Sequence, residues 1–141
     1  MHIYSPTEKV GLLLCFKDAR GVFQFLYQDE KLPGLFFSAK GRVPIIDQIL
    51  DFTTRTLGFS CTAQNTDIIH NYKDELLVEN KPCTLYLASI RNVFESLPIS
   101  HKPMPQLIRP IVGKNRLIYL RAWQVFMGGL TQETKVLETL S

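Results

Sequence analysis

The segment AKGRVPIIDQILDFTTRTLGF, Ala39 to Phe59, is punctuated as a turn, a helix and a glycine stop. Pro44 suits the first turn of a helix, where its missing N–H has no partner to lose, and Gly58 suits the left-handed residue just past the end. Between them Ile46, Ile49, Leu50 and Leu57, flanked by Ile45 and Phe52, recur at three- and four-residue intervals and predict one buried stripe. Asp47, Asp51 and Arg55 fall four apart on the other face, where Asp51 and Arg55 can pair for ~0.3 kcal/mol.

This helix needs a sheet to lie on, and the flanking sequence supplies one. Val10 to Phe16 and Val22 to Tyr27 are rich in Val, Leu, Phe and Tyr, and KDARG between them carries turn chemistry, so they predict an antiparallel hairpin. KLPG then breaks the pattern, LFFS is long enough for one short strand, and KGR is a turn around Gly41. Beyond Gly58 a second strand region is expected, with one arm near Thr66 to Val78 and a clearer one at Cys83 to Arg91, joined through ENKP. Pro98, Pro103, Pro105 and Pro110 crowd the next segment, which predicts an extended surface strap without regular structure. From Lys114 to Leu130, the spacing of Leu117, Ile118, Leu120, Trp123, Phe126, Met127 and Leu130 predicts an apolar amphipathic helix stopped by Gly128 and Gly129. The last residues, TQETKVLETLS, add a helical turn or two or fray, and no internal repeat is visible.

The chain has 141 residues, 45% of them hydrophobic, which suits a single domain, 1–141, burying roughly 68% of its unfolded surface. No apolar run reaches the ~18 residues of a membrane span, and MHIYSPTEK lacks a signal-peptide core, so a cytoplasmic location and no membrane partner are expected. Cys15, Cys61 and Cys83 are odd in number and sit in strand-like context, as buried reduced thiols do. His2, His70 and His101 have no spacing that would set two ligands on one helical face, so no His or Cys metal site is expected. GxSxG, the P-loop and GxGxxG are absent, which leaves serine hydrolases, P-loop ATPases and Rossmann oxidoreductases without support. Charge is uneven: Ser96 to Gln132 contains no Asp or Glu but holds Lys102, Arg109, Lys114, Arg116 and Arg121. Such a stretch is either a solvated face or an attractor of phosphates, RNA or an acidic partner.

Hairpin, short strand, glycine turn, helix, strands and C-terminal helix, together with RTLGF, resemble the Nudix family of nucleoside-diphosphate-linked hydrolases. The resemblance implies an α/β/α sandwich with a mixed sheet, and a loop-helix-loop motif, G-x5-E-x7-R-E-U-x-E-E-x-G-U, whose glutamates hold Mg²⁺. With Gly58 and Phe59 on the terminal G-U, Asp51 takes the place of the motif's arginine, Phe52 and Thr53 the next two positions, and Arg55 and Thr56 the paired glutamates. Phe37 falls on the opening glycine and Val43 on the lone glutamate. None of the motif's catalytic residues survives, and only Asp47 and Asp51 are acidic between Ala39 and Phe59. Phe52 offers no oxygen to a magnesium ion, which requires near-octahedral oxygen ligands, and Arg55 would repel a divalent ion ~5 Å away by roughly 6 kcal/mol at an effective dielectric of about 20.

The resemblance therefore implies a degenerate motif, with no catalytic residue and no metal. In the first of three functions, Lys40, Arg42 and Arg55 hold a nucleotide-type or other anionic ligand in place of the metal. In the second, a divergent hydrolase keeps Mg²⁺ with carboxylates from other segments, Asp29, Glu30, Glu75 and Glu79 among them. In the third, RNA or an acidic protein surface meets the basic 102–121 stretch, with Tyr119 and Trp123 as aromatic contacts.

Overall fold

The computed structural model describes residues 8–69, 72–93 and 97–128. Readings that fall on His2, His70, Ser96, Gly129 and the residues beyond lie outside this range. The elements run β1 (Lys9–Lys17), β2 (Phe23–Leu26), β3 (Leu35–Ser38), α1 (Ile45–Leu57), β4 (Thr66–Ile68), β5 (Asp74–Val78), β6 (Lys81–Ile90), β7 (His101–Pro103), α2 (Met104–Ile108) and α3 (Lys114–Gly128).

The sheet is mixed because two long apolar strands run parallel at its centre. β1 and β6 pair from Val10 with Thr84 through Phe16 with Ile90. Every other pairing is antiparallel: β2 and β3 share the far edge of β1, and β4 and β5 share the far edge of β6. The expected arm from Thr66 to Val78 is thus two separate strands, one on each half of β6.

Both faces of the central strands are covered, which explains why KVGLLLCFK is apolar throughout and charged only at its ends. Leu13 and Cys15 in β1, with Cys83, Leu85 and Leu87 in β6, join the core beneath α2 and α3. Val10, Leu12, Leu14 and Phe16, with Tyr86, Ala88 and Ile90, join the opposite core beneath α1. The result is an α/β/α sandwich of the kind the sequence implied.

Three expectations need correction. The proline-rich segment is not a structureless strap: β7 pairs with β2, placing Pro103 opposite Gln24, and α2 follows immediately. Proline is tolerated there because Pro103 sits on an edge strand and Pro105 in the first turn of a helix, where neither N–H is needed. The buried stripe of α1 is Gln48, Ile49, Thr53 and Leu57, while Ile46 and Leu50 are half-buried beside a shallow groove against β4. In α3, Ile118, Tyr119, Ala122 and Phe126 face the core, and Leu117 is 59% exposed. No described helix is long and apolar enough to cross a membrane.

Candidate functional site

β3 delivers the chain to the site. Ala39 N–H donates to the Glu8 carbonyl at 2.9 Å, extending the strand's path to the mouth of the turn. Within the turn the left-handed residue is Arg42, at φ 71°, rather than Gly41. Pro44 stands as N-cap, one residue before the helix, with no side-chain cap, and Gly58 closes the helix at φ 80° with its N–H on the Thr54 carbonyl at 2.9 Å.

Gln48 ties the turn to the helix. Its Oε1 accepts from Lys40 N–H at 2.7 Å, and its Nε2 donates to the carbonyls of Lys40 at 2.9 Å and Val43 at 2.8 Å. A buried primary amide is costly unless its donors and acceptor are matched, and here all three bonds go to the loop. Sequence reasoning missed this residue. The only signal was a polar side chain one turn after Pro44, flanked by Ile45, Ile49 and Phe52.

Between the turn and α1 lies a groove of about 240 Å³. Lys40, Asp47, Asp51 and Arg55 supply its charges, Phe37, Ser38 and Val43 line it, and Gln48 contributes from the helix. Of the three predicted anion-binding residues, the structure brings Lys40 and Arg55 to this groove. Arg42 is exposed and is not among the lining residues. Arg55 Nε donates to Asp51 Oδ2 at 3.1 Å in an exposed pair, so its guanidinium is partly engaged. Phe52 half-buries its ring against Phe37, the two centroids 4.7 Å apart and the planes 28° from parallel.

The carboxylates outside the helix are dispersed. Glu30 pairs with Lys102, and Asp29 accepts from Lys31 N–H at 2.9 Å. The Lys102 ammonium holds the Glu30 carboxyl below its ordinary range. Glu79 lies in the left-handed turn between β5 and β6. Glu75 does share the α1 face of the sheet, in one row with Thr84, Val10 and Phe37. Three strand spacings separate Glu75 from Phe37, or roughly 14 Å at the backbone. Among the described residues, no three His, Cys, Asp or Glu side chains group in a way that could hold a metal ion. Asp47 and an Asp51 already engaged by Arg55 are a poor donor set for magnesium, and the residues present do not fit that ion.

The basic stretch is also largely committed. Lys102 pairs with Glu30, Arg121 with Asp74, and Arg116 Nη1 donates to the carbonyls of Ile108 at 3.1 Å and Ile111 at 3.4 Å. Arg109 and Lys114 remain exposed without a side-chain partner among the described residues. Tyr119 is fully buried and its hydroxyl lacks a hydrogen-bond partner among the described residues, while Trp123 is partly buried against the core. Burial raises the Tyr119 hydroxyl's pKa far above its ordinary value. Tyr119 is therefore removed from any stacking platform.

No protein-family model and no curated protein matches the sequence. Solved structures do match. The Ap4A hydrolase of C. elegans superposes with a TM-score of 0.61 at 16% identity, covering 87% of this chain and 99% of that one. A binary complex of C. elegans Ap4A hydrolase gives 0.56 at 19% identity, with 87% and 100% covered. RenU, a Nudix hydrolase from M. smegmatis, gives 0.53 at 12% identity and 91% of both chains. With the parallel β1–β6 pair at the centre of the sheet and helices on both faces, the chain has a Nudix-like fold.

Proposed function

We propose that this chain is a Nudix-fold protein without metal-dependent pyrophosphohydrolase activity, and that its groove beside α1 binds a nucleotide-type or other anionic ligand through Lys40 and Arg55. The observation that carries the reading is the Phe37–Phe52 stack. The side chain at a position implied to bind metal is spent on packing, while two cations face the adjoining groove. A guanidinium and an ammonium can hold a phosphate group, but they cannot activate water as a metal does. The motif helix then persists as architecture, cemented by Ile49, Thr53 and Leu57.

A divergent hydrolase is the competing reading, favoured by the names of the structural neighbours, Ap4A hydrolase and Nudix hydrolase. It requires Mg²⁺ held by carboxylates such as Glu75 from outside the helix. Calorimetric titration with pyrophosphate and a nucleoside diphosphate, with and without Mg²⁺, separates the two. Metal-independent binding that disappears in Lys40→Ala and Arg55→Ala supports the binding protein. Phosphate or nucleoside monophosphate release that depends on Mg²⁺ or Mn²⁺ refutes it. A macromolecular partner at the 102–121 stretch, RNA or an acidic protein, has Arg109 and Lys114 as its available cations, and its affinity would fall steeply with salt.

A further inference from the structure

The groove beside α1 has a charge balance that polyphosphates would not favour. Lys40 and Arg55 are matched by Asp47 and Asp51, so the lining is neutral. Asp51 already occupies Arg55 at 3.1 Å, whereas Asp47 has no ion-pair partner among the described residues. A chain of adjacent phosphates would be repelled by Asp47 and would have to displace Asp51. A ligand that offers hydroxyl donors to a carboxylate and a single anionic group to the cations meets neither obstacle, because an ionised carboxylate only accepts hydrogen bonds and has several acceptor sites.

Size points the same way. The groove's volume of about 240 Å³ lies below the roughly 300 Å³ at which pockets begin to enclose drug-sized ligands. The groove can take a phosphate with one sugar, and a base attached to that sugar would extend beyond it. Phe37, already backed by Phe52, gives that molecule an apolar wall.

The geometry points to a phosphate monoester with neighbouring hydroxyls, such as a sugar phosphate or a nucleoside monophosphate, as the ligand of this groove: Lys40 and Arg55 take the phosphate and Asp47 the hydroxyls. The inference rests on the reading of the groove as an anion site. Asp47 would then be a specificity-determining residue, selecting against ligands that present only negative charge.

The test is calorimetry on the full chain with inorganic phosphate, pyrophosphate, ribose 5-phosphate and adenosine monophosphate as probes. Ribose 5-phosphate and the monophosphate are expected to bind more tightly than the two inorganic anions. Comparable affinities for these two organic probes assign the site to the sugar phosphate moiety, and a clear advantage for the nucleotide assigns part of it to the base. Asp47→Ala should weaken the hydroxylated probes by about tenfold, the scale of a hydrogen bond to a charged group, while leaving pyrophosphate equal or tighter. Asp47 is exposed, so the variant is expected to fold, and Asp47→Asn provides a smaller perturbation with the same ordering. If Asp47→Ala tightens every probe alike, Asp47 is only a repulsive charge and the inference is overturned, although the anion site survives. If no probe binds, or if binding is unchanged in both Lys40→Ala and Arg55→Ala, the anion site and the inference fall together.

Discussion

Phe37 at the end of β3 and Phe52 in the middle of α1 stack face to face, 4.7 Å between ring centroids. The contact joins strand to helix at the edge of the charged groove. Two apolar rings in contact tie the middle of the helix to the strand beside it.

Phe52→Glu should therefore destabilise the protein, by about 1–3 kcal/mol, since it removes a half-buried ring and brings a carboxylate against Phe37. Urea unfolding measures this. The variant should also show no Mg²⁺-dependent phosphate release, because one new carboxylate leaves the rest of the donor set missing.

Gln48→Ala should cost about 2–3 kcal/mol, the scale expected when buried loop groups lose their partners. Gln48→Glu should not rescue it, as a carboxylate cannot donate to the carbonyls of Lys40 and Val43. Both changes should loosen the Lys40 turn, which amide hydrogen exchange at residues 40–43 would detect.

Much of this helix was legible in the sequence, and its failures have a common cause. Pro44 and Gly58 mark its ends because proline and glycine have backbone properties that no tertiary contact need supply. Its inner face was misread because hydropathy counts atoms and not partners. Gln48 is buried because three loop groups satisfy it, and Thr53 because its hydroxyl donates to the Ile49 carbonyl at 2.7 Å. Ile46 and Leu50 were placed inside, but β4 covers them only partly. The same limit applies to the site. That Lys40 and Arg55 line one groove while Arg42 does not, and that Phe37 pairs with Phe52, depends on how the turn and strand meet the helix. In the proline-rich stretch, β7 was invisible because its strand identity derives from pairing with β2.

Glu79 and Asn80 both adopt left-handed backbone angles, φ 52° and 66°, in the two-residue turn between β5 and β6. Asn followed by Gly is the pair best suited to that turn. Replacing Glu79 with Asn and Asn80 with Gly together should stabilise the protein by about 1 kcal/mol, a rise in Tm of roughly 4 °C by calorimetry.

Asp74 gives an acid dependence. Burial pushes its carboxyl up, but hydrogen bonds from Arg121, the Glu75 N–H and the Tyr72 hydroxyl outweigh this, and the folded pKa lies below the ordinary value of 3.8. A depressed carboxylate contributes stability above its unfolded pKa and loses it as pH falls through the folded one. Wild type should thus exceed Asp74→Asn in stability near pH 7, with the difference shrinking below about pH 4, as urea titrations across that range would show.

The three cysteines should resist alkylation in the native state. Burial raises the thiols of Cys15 and Cys61 and takes Cys83 up to about 11. Because the thiolate is the nucleophile, iodoacetamide at pH 8 should label the folded chain slowly and the urea-unfolded chain at all three positions, as mass spectrometry would count.

Finally, the ladder that matches Val10 to Thr84 and Phe16 to Ile90 joins positions more than seventy residues apart. During synthesis the N-terminal strand leaves the ribosome long before its neighbour exists, carrying a sticky surface on both sides. Bringing such distant segments together carries an entropic toll that later contacts must recover, so assembly should be slow for a domain of this size. Translation arrested before residue 90 would strand that first segment without its central companion, making the nascent chain a natural client for chaperones.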